Sequence, residues 1–173
     1  MRLSRLASAT CVVALAACSS TRGPAPAPEP VAGGPPTFYR SLASAGATID
    51  PIAAQAMISQ YRANHGLGPV TIDPILENAA QTQSRAMAAA NKLDHEVRGS
   101  LDSRLKAAGS PAGLAVENVS AGYHTLAEAF SGWRDSPPHN RNMLEKGVRR
   151  MGIATAYAPG TKYKVFWTLV MTD

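Results

Sequence analysis

The sequence predicts an α+β domain, a three-layer α-β-α sandwich in which helices cover both faces of an antiparallel sheet. Residues 163–171 carry apolar side chains at both odd and even positions. A strand covered on one face only would instead alternate apolar with polar residues. Residues 151–157 alternate larger side chains with glycine and alanine, so a helix can pack closely against them. A turn at 158–161 joins the two strands as a hairpin.

Two helices begin the predicted domain, and each follows an aspartate with a proline. Asp50 and Asp73 can cap these helices, and proline suits the first helical turn. The first helix is expected from Pro51 to about Asn64 and the second from Pro74 to Ala90. Helical spacing predicts a buried side formed by Ala54, Ile58 and Tyr61 in the first helix and by Leu76, Ala80 and Met87 in the second, with Gln81, Gln83 and Arg85 facing outward.

The middle of the domain is expected to be irregular, with a short helix at 102–108 and a strand at 114–121. Thr125 and Glu128 then form a capping box that begins the next helix. Leu126, Phe130 and Trp133 share one face of that helix. Ser136 followed by Pro137 favours a helix cap and a further short helix that holds His139.

Residues 1–18 have the layout of a bacterial lipoprotein signal peptide, with two arginines before an apolar stretch at 6–17. Twelve helical residues extend about 18 Å, well short of a hydrocarbon core of about 30 Å, so no permanent span is predicted. The tetrapeptide 15–18 resembles a lipobox, whose cysteine, here Cys18, is diacylated and becomes the new N-terminus. Ser19 in place of aspartate favours the outer membrane, facing the periplasm. The alternative is an ordinary cleaved signal in which Cys18 is incidental.

Residues 19–49 are predicted to be a Pro/Ala/Gly-rich tether, with the domain at 50–173. Six prolines between residues 19 and 36 favour polyproline II and leave little apolar surface to bury. At about 3.1 Å per residue, residues 19–36 span about 55 Å. A spacer of this kind suits a domain held away from a membrane by an N-terminal lipid.

Charge and cysteine content restrict the possible partners. The formal net charge of +5 falls to +3 without Arg2 and Arg5, because 15 Lys and Arg then face 12 Asp and Glu. These charges form no basic stripe, so nucleic acid is not expected as a partner. Cys11 lies within the apolar stretch, and Cys18 is the only other cysteine, so no disulfide within the mature domain is predicted.

The chemistry of the mature chain is concentrated at His95, Glu117, Ser136 and His139. Two imidazoles and a carboxylate suit zinc or another divalent ion, and three protein ligands leave one position open for water. Their spacing is not diagnostic. Each residue also has a purely structural interpretation. His95 could be a surface histidine and Glu117 a carboxylate that anchors a loop. Ser136 could be a helix cap and His139 a histidine that bonds across a loop. Asn118 is expected to tie neighbouring loops together through its amide.

Several segments, in order, resemble the bacterial form of the CAP superfamily, also called the SCP domain, over about residues 52–170. They comprise 61–70, Leu93-Asp94-His95, Glu117-Asn118-Val119-Ser120-Ala121-Gly122, Trp133-Arg134-Asp135-Ser136-Pro137-Pro138-His139-Asn140-Arg141-Asn142-Met143-Leu144, Gly152-Ile153-Ala154 and Phe166-Trp167-Thr168.

The resemblance implies an α-β-α sandwich with a cleft lined by two histidines and two acidic residues, which binds divalent ions in several members. His95, Glu117 and His139 occupy three of those positions. The second acid is replaced by Ser136, as is common in bacterial members, so a four-ligand metal site is not implied. Sterol and fatty-acid binding in some members extends the expected ligands to lipids.

Three classes of function remain open. The favoured one is a non-enzymatic envelope lipoprotein whose cleft binds a divalent metal, a small ligand or a lipid. The second is a hydrolase that uses Ser136, His139 and Glu117 as hydroxyl, base and orienting acid, although no Gly-x-Ser-x-Gly elbow is present. The third is an interaction module that binds a protein or peptidoglycan.

Overall fold

The computed structural model describes residues 35–173. In this part of the chain a short 3-10 helix is followed by five α-helices and four strands. Their bounds are Thr37–Tyr39 for the 3-10 helix, Pro51–Ala63 (α1), Thr71–Ile72 (β1), Pro74–Ala90 (α2), Leu101–Ala107 (α3), Ala115–Ala121 (β2), Leu126–Asp135 (α4), Pro137–Met143 (α5), Arg150–Ala158 (β3) and Lys164–Thr172 (β4).

The sheet has the strand order β1-β3-β4-β2. The three long strands pair antiparallel, with β4 between β3 and β2, which confirms the antiparallel sheet and the final hairpin. The two-residue strand β1 adds a parallel pairing with Arg150 and Met151 of β3. This strand was not predicted, because two residues are too few to show an alternating pattern.

Helices cover both faces of the sheet, as predicted. On one face, α2 and α3 place Leu76, Ala80 and Leu105 against Ala154 and Val170. On the other face, the residues of α1, α4 and α5 enclose a larger core that contains Trp133 and Trp167. The two indole rings meet edge to face with centroids 6.3 Å apart, a favourable arrangement for aromatic pairs. The apolar character of β4 on both faces follows from this three-layer packing.

Gly152 sets the distance between α2 and the sheet. A Cβ atom at this position would overlap the main-chain atoms of Leu76 and Glu77. The first turn of α2 therefore lies directly on the β3 backbone, which only a residue without a side chain permits. This contact explains why small residues occupy alternate positions of β3.

The predicted helix starts are confirmed for α1, α2 and α4. The side chains of Asp50 and Asp73 accept hydrogen bonds from the first-turn amides of α1 and α2. Thr125 and Glu128 complete both bonds of the capping box. Ser136 occupies the N-cap position of α5, but its side chain makes no capping hydrogen bond.

Two details of the sequence prediction are wrong. Gln83 does not face outward, because it is buried beneath the loop that follows α2. The folded domain also begins before the predicted boundary at Asp50. Leu42 is buried in the larger core, and its amide donates to the carbonyl of His124. Phe38 packs against the same core. An isolated leucine and phenylalanine after a proline-rich stretch show no helical or strand period.

The predicted signal peptide, the predicted lipobox at Cys18 and most of the proline-rich segment lie outside the described residues. Within residues 35–173, no helix combines the length and the apolar character that crossing a membrane requires.

Candidate functional site

Glu117 of β2 lies at the centre of the candidate site. Its side chain is 3% exposed. Oε1 accepts a hydrogen bond from Nδ1 of His95 at 2.9 Å and another from Nη2 of Arg104 at 3.0 Å. Oε2 accepts from the same Arg104 nitrogen at 2.8 Å. Both oxygens of this carboxylate are therefore engaged by cationic or polar side chains.

His95 reaches Glu117 from the loop that follows α2, and two buried side chains hold that loop in place. Nε2 of Gln83 donates to the carbonyls of Asp94 and His95, at 2.8 and 3.1 Å. Arg104 donates to the carbonyl of His95 at 3.2 Å. The His95 ring itself remains 55% exposed. Its Nδ1 is directed at Glu117, which leaves Nε2 as the nitrogen available to a ligand.

Arg104 is a site residue that the sequence analysis missed. It belongs to α3, and its side chain is only 7% exposed. In the sequence, an arginine in the last turn of a short helix has a complete explanation as a favourable charge at the helix C-terminus. No motif links it to Glu117, so only the packing of α3 against β2 could identify it.

His139 lies in the first turn of α5 and is joined to Glu117 through two asparagines. Nδ2 of Asn118 donates to the carbonyl of His139 at 3.0 Å. Nδ2 of Asn142 donates to Oδ1 of Asn118 and to the carbonyl of Glu117, both at 2.9 Å. These bonds fix α5 against β2, which confirms the structural role expected for Asn118.

The two histidines have opposite pKa shifts. The hydrogen bond that His95 donates to Glu117 raises the pKa of His95, although partial burial opposes it. Burial lowers the pKa of His139, and the charge of His95 lowers it further. The rings are thus close enough for the charge on one to affect the other. Near neutral pH, His139 is expected to be neutral and able to act as a ligand.

Glu117 does not fit the role of a third ligand beside the two histidines. Its oxygens already bind His95 and the Arg104 guanidinium. Within residues 35–173, no three His, Cys, Asp or Glu side chains form a group that holds a metal ion. The arrangement instead resembles the outer part of many metal sites, where a carboxylate orients a ligating imidazole.

Ser136 is half-buried and lies three residues before His139. In the described part of the chain, no hydrogen bond joins its hydroxyl to the His139 ring. The base that would activate this hydroxyl is therefore not hydrogen-bonded to it in this structure.

Comparisons with known proteins agree with this fold. The family model described as the cysteine-rich secretory protein family, CAP, matches residues 55–171. A search of curated proteins finds YkwD of Bacillus subtilis, described as uncharacterized. It is 28% identical over 130 residues, which cover 68% of this chain and 51% of YkwD. The chain thus spans about half the length of this relative.

Two solved structures show the same fold. An extracellular protein with an SCP domain from Bacillus anthracis has a TM-score of 0.62 at 24% identity, covering 70% of this chain and 39% of that protein. An outer surface protein of Borrelia burgdorferi has a TM-score of 0.64 at 18% identity, covering 74% and 98%.

The fold and the family match define an α-β-α sandwich protein of the SCP type. This chain belongs to the CAP family of cysteine-rich secretory proteins.

The opposite pKa shifts predict that the two histidines titrate in separate steps. As the pH rises, His139 should lose its proton first and His95 second, with midpoints on either side of the ordinary value of about 6.5. Glu117→Gln should lower the pKa of His95. Exposed Glu96, whose side chain does not bond to that ring, provides the control Glu96→Gln. NMR titration of the ring signals measures both; a single shared midpoint would contradict the prediction.

The pKa shift of His95 also gives the sign of its effect on stability. Because the pKa of His95 is higher in the folded state than in the unfolded state, protonated His95 stabilises the fold fully at a pH below the unfolded-state pKa. This stabilisation is lost as the pH rises through the folded-state pKa.

The buried ion pair predicts a strong energetic coupling between Arg104 and Glu117. Arg104→Met leaves a buried carboxylate without its guanidinium partner and should lower the free energy of unfolding by about 3–5 kcal/mol. Combining it with Glu117→Leu should restore a large part of that loss. Urea unfolding measures the cycle. Exposed Arg98→Met is the matched control and should change stability by less than about 0.5 kcal/mol. Additive losses in the double variant would exclude the coupling.

Proposed function

We propose that this chain is a cell-envelope lipoprotein whose CAP domain binds a divalent metal ion, zinc first, through His95 and His139, without catalysis. The observation that carries the proposal is the hydrogen bond from Nδ1 of His95 to buried Glu117. Metal-ligating histidines characteristically donate their second ring nitrogen to a carboxylate in this way. Glu117 thereby becomes the residue that orients His95, rather than a third ligand.

The neutral form of His139 supports this role, whereas the raised pKa of His95 means that a metal ion must displace the proton on its Nε2. A metal ligand must offer an unprotonated nitrogen, and burial favours the neutral form of His139. His95 keeps its proton on Nδ1 when it donates to Glu117, so Nε2 is the nitrogen that would face the ion. The Glu117 negative charge raises the basicity of that nitrogen.

Two protein ligands make a weak and open site. Zinc is usually four-coordinate, so two positions would remain for water or for donor atoms of another molecule. A bound ion would supply positive charge and open coordination positions to such a donor. The Arg104–Glu117 ion pair fixes the carboxylate to which His95 is hydrogen-bonded. This arrangement suits reversible ligand binding better than a structural metal, whose sites are closed by protein ligands.

The envelope location is supported by the start of the sequence and by the descriptions of related structures. An apolar stretch followed by a lipobox at Cys18 precedes a proline-rich spacer. The Bacillus anthracis protein is described as extracellular and the Borrelia protein as an outer surface protein. We infer that lipid on Cys18 anchors the domain, in the outer membrane facing the periplasm.

Zinc titration of the purified domain tests the metal proposal. The ring signals of His95 and His139 should shift on addition of zinc, and those of exposed His124 should not. In the His95→Ala variant the zinc-dependent shift of the His139 ring signals should disappear, and in the His139→Ala variant that of the His95 ring signals should disappear. Glu117→Gln should weaken zinc binding by about 10–100-fold, as loss of an orienting carboxylate does.

His124→Ala serves as the matched control and should leave zinc affinity unchanged. The metal proposal would be rejected if the ring signals of His95 and His139 did not shift at zinc concentrations up to millimolar. It would also be rejected if the His139→Ala variant bound zinc with the same affinity as the wild type.

Labelling with radioactive palmitate in a bacterial host tests the anchor. The wild-type chain should incorporate label and fractionate with membranes, whereas Cys18→Ser should do neither, because acylation needs the sulfur. Cys11→Ser, within the apolar stretch, is the control and should still be labelled. Labelling of the Cys18→Ser variant would contradict the lipobox.

A further inference from the structure

Strand β3 is an open edge of the sheet along most of its length. The strand order places β1 on its outer side, but β1 pairs only with Arg150 and Met151. The seven residues Gly152–Ala158 therefore have a strand partner, β4, on one side only. An edge of this kind presents main-chain donors and acceptors to any further strand.

The direction of these groups follows from two hydrogen bonds. The amide of Asp73 donates to the carbonyl of Met151 at 2.9 Å, on the β1 side. Nε2 of Gln81 donates to the carbonyl of Thr155 at 3.0 Å. Because main-chain groups alternate along a strand, Ile153, Thr155 and Tyr157 direct theirs to the open edge. Apart from the Gln81 bond, no hydrogen bond from outside the sheet reaches these groups within residues 35–173. Ile153 is only 2% exposed, so the accessible groups are those of Thr155 and Tyr157, which are partly exposed.

The open edge lacks the features that normally discourage strand addition. Residues 152–158 contain no charged residue and no proline, the usual protective features of edge strands. The opposite edge of the sheet, formed by β2, is partly covered. There Asn142 donates to the carbonyl of Glu117 in β2, and α5 covers that part of the strand.

A groove follows the open edge. Its cavity of about 600 Å³ runs beside residues 153–157. The segment 46–49 forms one wall and side chains of α2 form the other. Such a groove has room for an extended chain placed next to β3 and in register with its main chain.

Two opposite charges line the α2 wall. Glu77 and Arg85 are eight residues apart in α2, a separation of about 12 Å along the helix. That distance corresponds to about four residues of an extended strand. Glu77 lies at the Gly152 end, where α2 contacts the strand. Neither residue forms an ion pair within the described part of the chain.

We propose that this groove binds an extended peptide as an additional strand on β3. The peptide carries a basic residue opposite Glu77 and an acidic residue opposite Arg85, about four positions apart. Its main chain bonds to Thr155 and Tyr157, the partly exposed residues of this edge. This site does not depend on the histidine cleft, which lies at the β2 edge on the far side of β4.

A single peptide fits this groove better than the β3 edge of a second copy. In a second copy, the same edge would bring its own α2 and its own segment 46–49. Those walls would have to fit into the same groove before the two strands could reach the 4.7–4.9 Å spacing of a sheet. A free peptide has no such walls.

Two synthetic eight-residue peptides test the proposal. Both alternate valine and threonine. One has lysine at its second position and glutamate at its sixth, and the other has these charges reversed, so that both strand directions are sampled. With the full domain in NMR, one peptide should shift the amides of Thr155 and Tyr157 and slow their hydrogen exchange.

Variants separate strand addition from nonspecific contact. Thr155→Pro removes an amide that faces the open edge and is tolerated there, because no β4 bond is lost. It should weaken peptide binding about tenfold, the effect of one hydrogen bond. Thr155→Val keeps the amide and should bind like the wild type. Glu77→Lys combined with Arg85→Glu should exchange the preference between the two peptides.

Each result decides the proposal. Shifts confined to the β3 edge, loss with Thr155→Pro and exchanged preference in the charge-reversed variant support it. No shift with either peptide at millimolar concentration overturns it, as does equal binding by Thr155→Pro. Concentration-dependent protection of the edge without peptide also overturns it, because the occupant is then a second copy.

Discussion

A carboxylate that is almost completely buried imposes the main constraint on this domain. Glu117 lies in the buried stretch 117–120 of β2, and a charge in that position is costly unless it is paired and hydrogen-bonded. Arg104 supplies the opposite charge, and His95 supplies a further donor. The placement of α3 and of the loop after α2 follows from this requirement, because each must bring one partner to the same pair of oxygens.

The same requirement extends to the elements on the other side of β2. Asn142 bonds to the carbonyl of Glu117, and Asn118 bonds to that of His139, so α5 is fixed relative to the carboxylate. Buried Arg62 then holds the end of α5 through the carbonyls of Met143 and Glu145, both at 2.8 Å. These fixed positions bring His139 into the electrostatic field of His95. Holding both rings in this way reduces the ordering that the proposed ligand binding would require.

The sequence supported prediction of most of the fold, because its elements have strong local causes. Asp50, Asp73 and Thr125 mark helix starts through their own capping bonds. Errors arose where the decisive contact is distant in sequence. Gln83 is buried because it bonds to the loop carrying His95. Leu42 is buried because it packs against the core from a segment that the sequence analysis assigned to the tether. Neither contact leaves a periodic pattern in the chain.

By itself, the sequence determined the three layers, the central hairpin, the family resemblance and the types of residue at the cleft, because apolar periods and capping residues act over a few positions. Only the tertiary structure decided which partners those residues have. It placed Arg104 on Glu117 and made that carboxylate the partner of His95, and it left the β3 edge beside a groove. These outcomes depend on which surfaces meet after folding, and residues far apart in a single sequence do not show which ones will meet.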